Sequence, residues 1–367
     1  MPRVPPSLLQ RANRISPHLA TLLPVCRTLP SARNELRWIR EHVLSGSDAG
    51  RSGRISRGDR GLEAAVDRLV RRRGSGVPLQ YVLGSQPFGH LDIRCRRGVL
   101  IPRSETEAWV CYLADVVAGT TPTAAALRIV DFCCGSGCVA LLLSALLRRR
   151  GLAPSTRGFD VCPRAVALAR ENRALNARRG LLPREEEEEE GQVAFERADV
   201  FAAETEWRGL LPPSAGEGEA GARAHVLVAN PPYVSARGFD RDTARAVRRY
   251  EPRRALVPPA AAAEHGDWDC APEDVFYARL LDVAAILGSE IAVFEVGGLD
   301  QAVRVVEMAA AAAREGRRWD DVEIWRDWPD MRPAGDEVGV VRVAGRDVSV
   351  RGSGNGRAVF LRRRGRL

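Results

Sequence analysis

Between residues 127 and 312 short apolar runs alternate with helical stretches, and no other feature narrows the fold as far. LRIVDF is followed by CVALLLSALLRRR, and TRGFDV by PRAVALARENRALNARRG; VAFERADV, HVLVAN, DVFYARLLDVAAIL, EIAVFEV and DQAVRVVEMAAAA come after them. Strand and helix in strict alternation imply a parallel sheet with helices on both faces, a Rossmann-like doubly wound α/β fold.

What precedes it is different. SARNELRWIREHVL (31–44) and GDRGLEAAVDRLVRRR (58–73) carry apolar residues at spacings of three and four, as in Leu62, Val66, Leu69 and Val70, and predict helices. Residues 1–75 are therefore expected to form a small helical domain. Gly and Pro punctuate the β-prone pieces of 76–104, which predicts a hairpin connector to the α/β domain over 105–345. The Gly- and Arg-rich stretch 346–367 reads as a disordered basic tail. The Glu run 185–190, the Gly-rich stretch 209–224 and the Pro/Ala stretch 258–272 read as solvated surface insertions.

Charge and cysteine usage set bounds. The formal charge is +8, with 55 Arg and no Lys. Residues 1–104 are net +12 and 342–367 net +7, which leaves −11 for the middle. Basic ends suit an anionic partner such as RNA; an Arg-biased composition explains them equally well. Before Glu35 the chain has Arg3, Arg11, Arg14, Arg27 and Arg33 and no acid. Residues 1–30 therefore read either as a mitochondrial presequence or as a basic first helix of the folded domain. Eight cysteines show no paired spacing, and a chain this long needs no disulfide staples, so a reducing compartment is expected. Cys133, Cys134 and Cys138 lack a second ligand pair, and no metal is expected. No run approaches the roughly 20 apolar residues of a membrane span.

The chemistry is written at the strand ends, where ligands bind in doubly wound sheets. IVDFCCGSGCVALLL places Asp131 at the end of the first strand, before a loop in which Gly135 and Gly137 allow close backbone approach. The loop lacks the Lys of a phosphate cradle, and Asp131 would repel pyrophosphate, so a cationic ligand fits better. The second strand ends in Asp160, suited to the two hydroxyls of a ribose. The third ends in Asp199, suited to an exocyclic adenine amine. Each acid alone is a common turn or cap residue; three facing one crevice describe a pocket for an adenosyl sulfonium.

The fourth strand ends in Asn230-Pro231-Pro232-Tyr233. Two prolines make a stiff turn and leave the Pro231 carbonyl available as an acceptor. Asn230 adds a side-chain carbonyl, and Tyr233 a flat wall with a polar tip. Two acceptors and a wall suit a planar NH2 group, whose nitrogen they would hold in line for methylation while stabilising the charge that develops on it.

With these motifs in order, the chain resembles the HemK/PrmC release-factor glutamine N5-methyltransferases over about residues 33–345. PLQYVLG (78–84), LIPRSETE (100–107), IVDFCCGSG, NPPYV, YEPRRAL (250–256) and VEIWRDW (322–328) carry the resemblance; LIPR-x-x-TE is more specific than Asn-Pro-Pro-Tyr, which adenine N6-methyltransferases share. The resemblance implies a seven-stranded class I methyltransferase sheet. It implies methyl transfer from S-adenosylmethionine, with S-adenosylhomocysteine as product, to the Gln amide in the Gly-Gly-Gln loop of a peptide-chain release factor, gripped by Asn230–Tyr233. Cys133, Cys134, Gly135, Ser136 and Gly137, with Asp160, Asp199 and Val200, and Asn230 beside them, would hold the cofactor. The helical domain would dock the release factor, and the protein would be a monomer. The Arg-rich start and long insertions resemble the fungal mitochondrial branch, so mitochondria are expected, with the cytoplasm as alternative.

One departure is Cys133 where the family's loop has Gly; a left-handed backbone there would cost of order 1 kcal/mol. The alternative acceptor is adenine in rRNA or DNA, for which the charge speaks. Only 6% aromatic residues leave few platforms for a flipped base, and no stable nucleic-acid partner is expected. The complete Asn-Pro-Pro-Tyr and all three acids speak against a non-catalytic binding protein.

Overall fold

The computed structural model describes residues 4–46, 59–122, 126–184, 193–209, 211, 223–266, 268–312 and 318–363. The expected insertion at 185–190 and most of 209–224 lie outside the described residues. The chain divides into two compact units: residues 1–86, 95–97 and 244–250, and the remainder.

The first unit is helical: α1 (Pro6–Ile15), α2 (Pro17–Cys26), α3 (Leu29–Leu44), α4 (Asp59–Gly74) and α5 (Leu79–Leu83). Proline in the first turn starts each of the first three without losing a hydrogen bond. Ser16 and Thr28 cap α2 and α3 by accepting from the backbone N–H of His18 and Ser31. Leu19, Leu22, Leu23, Leu36, Ile39, Val66, Leu69 and Leu79 form its core, and Arg73 donates both Nε and Nη2 to Glu35 at 2.6 and 2.9 Å.

The structure bears on two expectations here. Residues 6–26, read as a possible presequence or a first helix, form α1 and α2, whose Ala12, Leu19, Leu22 and Leu23 are buried in this core; cleavage near residue 30 would remove them. LQYVL, read as part of a hairpin connector, is one helical turn between Pro78 and a left-handed Gly84, and its Leu79 and Val82 extend the unit beyond residue 75 to Gln86.

β1 (Ser85–Phe88) and β2 (Leu91–Arg94) form a two-stranded sheet. Then come α6 (Ser104–Thr120), β3 (Ala126–Phe132), α7 (Cys138–Arg149), β4 (Ala153–Asp160), α8 (Pro163–Arg178), β5 (Val193–Arg197), α9 (Glu204–Arg208), β6 (Val226–Ala229) and α10 (Ala236–Arg241). α11 (Arg245–Tyr250) belongs to the first unit. α12 (Val275–Ile286), β7 (Ile291–Glu295), α13 (Leu299–Ala312), β8 (Asp321–Trp328), β9 (Val340–Val343), β10 (Arg346–Arg351) and β11 (Ser353–Arg362) complete the second.

Nine strands lie in the order β5-β4-β3-β6-β7-β11-β8-β10-β9. β3 to β7 are mutually parallel, and β11 runs antiparallel to both neighbours. VLVA of β6 and IAVF of β7 are apolar at every position because helices cover both faces of the sheet there. Chain order reverses between β3 and β6, where Asp131 lies opposite Val228 and Phe132 opposite Ala229. The sheet has the expected seven strands, with β9 and β10 added at one edge.

The tail expected to be disordered is instead part of this sheet. Ala358, Val359, Phe360 and Leu361 are buried between β7 and β8. Four consecutive apolar residues covered on both faces outweigh the Gly and Arg around them.

Candidate active site

The reversal of chain order opens a cavity of about 400 Å³ at the carboxyl ends of β3–β6, within the size range of small-molecule sites. Among the sequence-predicted residues it is lined by Asp131, Cys133, Cys134, Gly135, Ser136, Asp160, Asp199, Val200, Asn230 and Pro232. Gly137, Pro231 and Tyr233 do not line it.

The loop after β3 takes its shape from left-handed residues at alternate positions: Cys133 (φ 61°), Gly135 (φ 55°) and Gly137 (φ 78°). The Cys133 conformation is the strained one anticipated from sequence. Cys134 N–H donates to the Phe159 carbonyl at 3.0 Å, and Asn172 Nδ2 donates to the Ser136 carbonyl at 2.9 Å, so the loop is tied to β4 and to α8. Gly137 serves the packing of the loop, since a Cβ there would lie 2.7 Å from Phe195 Cζ and 2.9 Å from Ala169 Cβ.

The three acids differ in state. Asp160 accepts from the N–H of Gly135 at 3.0 Å and of Cys162 at 2.8 Å, one bond per oxygen, and a carboxylate can accept about four. Burial raises its pKa, against these bonds. Asp131 is 1% exposed. Its Oδ2 has no partner among the described residues, and burial, with the neighbouring Asp160 charge, pushes its carboxyl well above the ordinary range. Asp199 is exposed and accepts from Phe201 N–H at 3.0 Å in a local turn. An orphaned carboxylate oxygen, a second carboxylate with acceptor capacity left and a strained small-residue loop fit a cationic adenosyl ligand. They do not suit a polyanion. The thiols of Cys133 and Cys134 are pushed well up by burial, and that of Cys138 up to about 12; all three are neutral packing groups.

Asn230, half-buried, makes no side-chain hydrogen bond among the described residues, and the Pro231 carbonyl accepts none. Both acceptors are therefore free. Tyr233 differs from the expectation of a free polar tip, because its hydroxyl donates to Glu295 Oε1 at 3.1 Å and its ring packs against Gly297.

Several residues of the cavity were not singled out from sequence. Arg103 and Thr106, both in LIPRSETE, line it, and Glu251 fixes that segment by accepting from Ile101 N–H at 3.0 Å and Arg103 Nη2 at 2.7 Å. The motif explains the pairing only after folding, since 150 residues separate Ile101 from Glu251. The stretch 258–272, read as a solvated insertion, contributes Pro259, Ala261, Ala262 and His265 to the wall. His265 stacks on Phe201 at 5.3 Å, and Trp268 and Phe276 meet the same ring edge-on. Aromatic contact, invisible in a Pro/Ala-rich run, turns this segment inward.

Among the described residues no helix is long and apolar enough to cross a membrane. No protein-family model matches the chain. It is 36% identical over 264 residues to the mitochondrial MRF1 N(5)-glutamine methyltransferase MTQ1 of Saccharomyces cerevisiae, covering 70% of this chain and 68% of that protein. It is 32% identical over 306 residues, 82% of this chain and 87% of the relative, to an MRF1 mitochondrial N(5)-glutamine methyltransferase, mtq1, of Schizosaccharomyces pombe. A release factor glutamine methyltransferase of Bacteroides thetaiotaomicron is 31% identical over 53% of this chain and 56% of its own length. Among solved structures, the METTL16 methyltransferase domain aligns with a TM-score of 0.42 at 13% identity, over 78% of this chain and 95% of that one.

Proposed function

Because the chain belongs to the family of release-factor N5-glutamine methyltransferases, we propose that it methylates the side-chain amide nitrogen of the Gly-Gly-Gln glutamine in a mitochondrial peptide-chain release factor, using S-adenosylmethionine. The enzyme is a methyltransferase. One observation carries the reading of the site: two free acceptors, Asn230 and the Pro231 carbonyl, stand at the strand end next to the orphaned carboxylate of Asp131.

When bound, S-adenosylmethionine supplies a methyl group already activated by the sulfonium. Asp131 would bear the cationic part, Asp160 the ribose hydroxyls, and Val200 and Phe201, backed by His265, the apolar ring. An amide nitrogen is a poor nucleophile because its lone pair is delocalised. Acceptors on its N–H bonds would hold it in line while the C–N bond forms and the sulfonium's C–S bond breaks, and would stabilise the positive charge on nitrogen, which is then discharged by loss of one N–H proton to solvent. No buried base is required before transfer, and Asp131 and Asp160 serve the cofactor instead. Exclusion of water by the apolar cavity strengthens each of these contacts.

The acceptor reading is supported by the names of the relatives, which specify glutamine with MRF1 in the two yeasts and with a release factor in the bacterium; adenine is not favoured. Mitochondrial location is supported by the names of the two yeast relatives. The basic helical unit is the proposed docking surface for the release factor. The test is to incubate the protein with S-adenosylmethionine and a mitochondrial release factor and to map the product by mass spectrometry. A single methyl on the Gly-Gly-Gln glutamine is expected. An unmodified glutamine, with methyl found in RNA or DNA, would overturn the reading.

A further inference from the structure

We propose that Glu295 is a positioning residue that holds the Asn-Pro-Pro-Tyr loop in its working shape, with Gln301 fixing the same tyrosine from its backbone side. The inference rests on the reading of that loop as the acceptor grip.

Glu295 ends β7, the strand beside β6, and its side chain is 1% exposed. Three donors from two parts of the chain converge on it. Thr106 Oγ1 and Trp109 Nε1 donate to Oε2 at 2.6 and 2.9 Å, and Tyr233 OH donates to Oε1 at 3.1 Å. Thr106 lines the cavity. One carboxylate thus joins the cavity wall built by LIPRSETE to the far end of the acceptor loop. At the near end of Tyr233, Gln301 Nε2 donates to the backbone carbonyl at 3.1 Å. Gln301 is itself fixed: Nε2 donates to Asp274 Oδ1 at 2.7 Å, and Oε1 accepts from Gly297 N–H at 2.8 Å. Arg304 pairs with the buried Asp274. Tyr233 is therefore held at its hydroxyl and at its carbonyl, which leaves the preceding Pro231 carbonyl and Asn230 amide little freedom to turn.

Stability alone does not account for this arrangement. A buried carboxylate, even with three donors and the Arg357 guanidinium near it, costs desolvation free energy that a well-packed aliphatic side chain would not. The strand IAVFE would be the simpler sheet element with an apolar last residue. A fixed acceptor for three donors gives what an aliphatic residue cannot, a defined orientation for the loop.

The test uses three single variants of the full chain and one double variant, Tyr233→Phe with Glu295→Met. Tyr233→Phe removes only the phenol bond, Glu295→Met removes the acceptor, and Glu295→Gln keeps an acceptor oxygen without the charge. Displacement of reacting groups by about an ångström can cost on the order of 100-fold, and one lost hydrogen bond is worth about tenfold. At saturating cofactor, kcat towards the release factor should fall about 100-fold in Glu295→Met and about tenfold in Tyr233→Phe, and the double variant should be no slower than Glu295→Met. Glu295→Gln should stay within about threefold of wild type, because its amide can satisfy the same partners. Affinity for S-adenosylhomocysteine, read by calorimetry, should stay within about twofold in all three, which general damage to the fold would not permit.

Without any acceptor present, hydrogen exchange at the amides of Tyr233 and Val234 should speed up in Tyr233→Phe and Glu295→Met and not in Glu295→Gln. Unchanged exchange in the first two, or near-wild-type kcat, would overturn the proposal, as would a Glu295→Gln as slow as Glu295→Met. If Glu295→Met does not fold, Tyr233→Phe decides by the same measures. Faster exchange in the variants, with no methyl transferred by wild type to the release factor, would sink the acceptor assignment and leave the positioning role standing.

Discussion

Replacing Asn230 by Ala separates a side chain kept for chemistry from one kept for the fold. The amide is half-buried and takes part in no hydrogen bond among the described residues, so its removal leaves no buried partner unsatisfied. A substitution of that kind changes stability by about 0.5 kcal/mol or less. If the amide accepts from the substrate nitrogen as charge develops there, its loss resembles the loss of one preorganised group aimed at the transition state, about 10²- to 10³-fold in kcat, or roughly 2.7 to 4 kcal/mol. The assay is the initial rate of methyl transfer to the release factor at saturating cofactor, with thermal unfolding measured on the same samples. The expected pattern is an unchanged unfolding midpoint and a kcat lower by two to three orders of magnitude. Asn230→Gln should recover little, because one more methylene moves the acceptor out of line. A kcat within threefold of wild type would refute the assignment, and so would a loss of activity matched by a loss of folded protein.

Other outcomes test the remaining site and the fold. Burial raises the pKa of Asp131 in the free protein, and a cationic ligand favours its ionised form. Affinity for S-adenosylmethionine should therefore rise as pH rises through that raised value, with proton release on binding; calorimetry in buffers of different ionisation enthalpy checks this, and an equal pH response for uncharged-sulfur S-adenosylhomocysteine would count against it. Asp131, Asp160 and Glu295 all have folded-state values above the usual carboxylate range. Their contribution to stability is thus fully present below the ordinary values and is lost as pH rises through the raised ones, which a chemical-denaturation series over pH would show. Gly137→Ala adds a left-handed strain of about 1 kcal/mol and an overpacking cost of about 1 to 3 kcal/mol against Phe195 and Ala169; the unfolding midpoint should drop, whereas an unchanged midpoint with lost cofactor binding would restore the glycine to the ligand. Deleting residues 346–367 removes Val359, Phe360 and Leu361 from the centre of the sheet, worth about 1.5 to 3 kcal/mol each against a typical total of about 5 to 15 kcal/mol, and should yield insoluble protein; a soluble, active truncation would contradict the placement of β11.

The inner parallel strands were legible because burial on both faces writes them as mostly apolar runs. LRIVDF, HVLVAN and EIAVFEV became β3, β6 and β7 with ends shifted by at most a residue. β11 escaped for the opposite reason: its apolar centre, AVFL, is short and flanked by Gly and Arg, and what makes it a central strand is its position between β7 and β8. Helix α5 escaped because five residues give too little periodicity, although Pro78 and Gly84 mark both its ends. The segment 258–272 looked solvated because its inward side depends on His265 and Trp268 meeting Phe201, a ring far away in sequence.

The site shows the same limit in sharper form. A strand-end position tells which side chains reach the crevice, and by that rule Asp131, Asp160 and Asn230 were found and do line it. It does not tell which of them the fold has already engaged. Tyr233 and Glu295 satisfy each other; Asp160 is half-engaged by two backbone N–H groups; Asn230, the Pro231 carbonyl and one oxygen of Asp131 are left over. Polar groups near a core cost free energy when unpaired, so those left unpaired at the cavity wall, Asp131 and Asn230, or beside it, the Pro231 carbonyl, are the ones a ligand can satisfy, and those paired across 189 residues, as Thr106 is with Glu295, are the ones that hold the first set still. The division between recognition and support is thus a property of the hydrogen-bond network, and it becomes readable only when the strands that carry its members stand side by side.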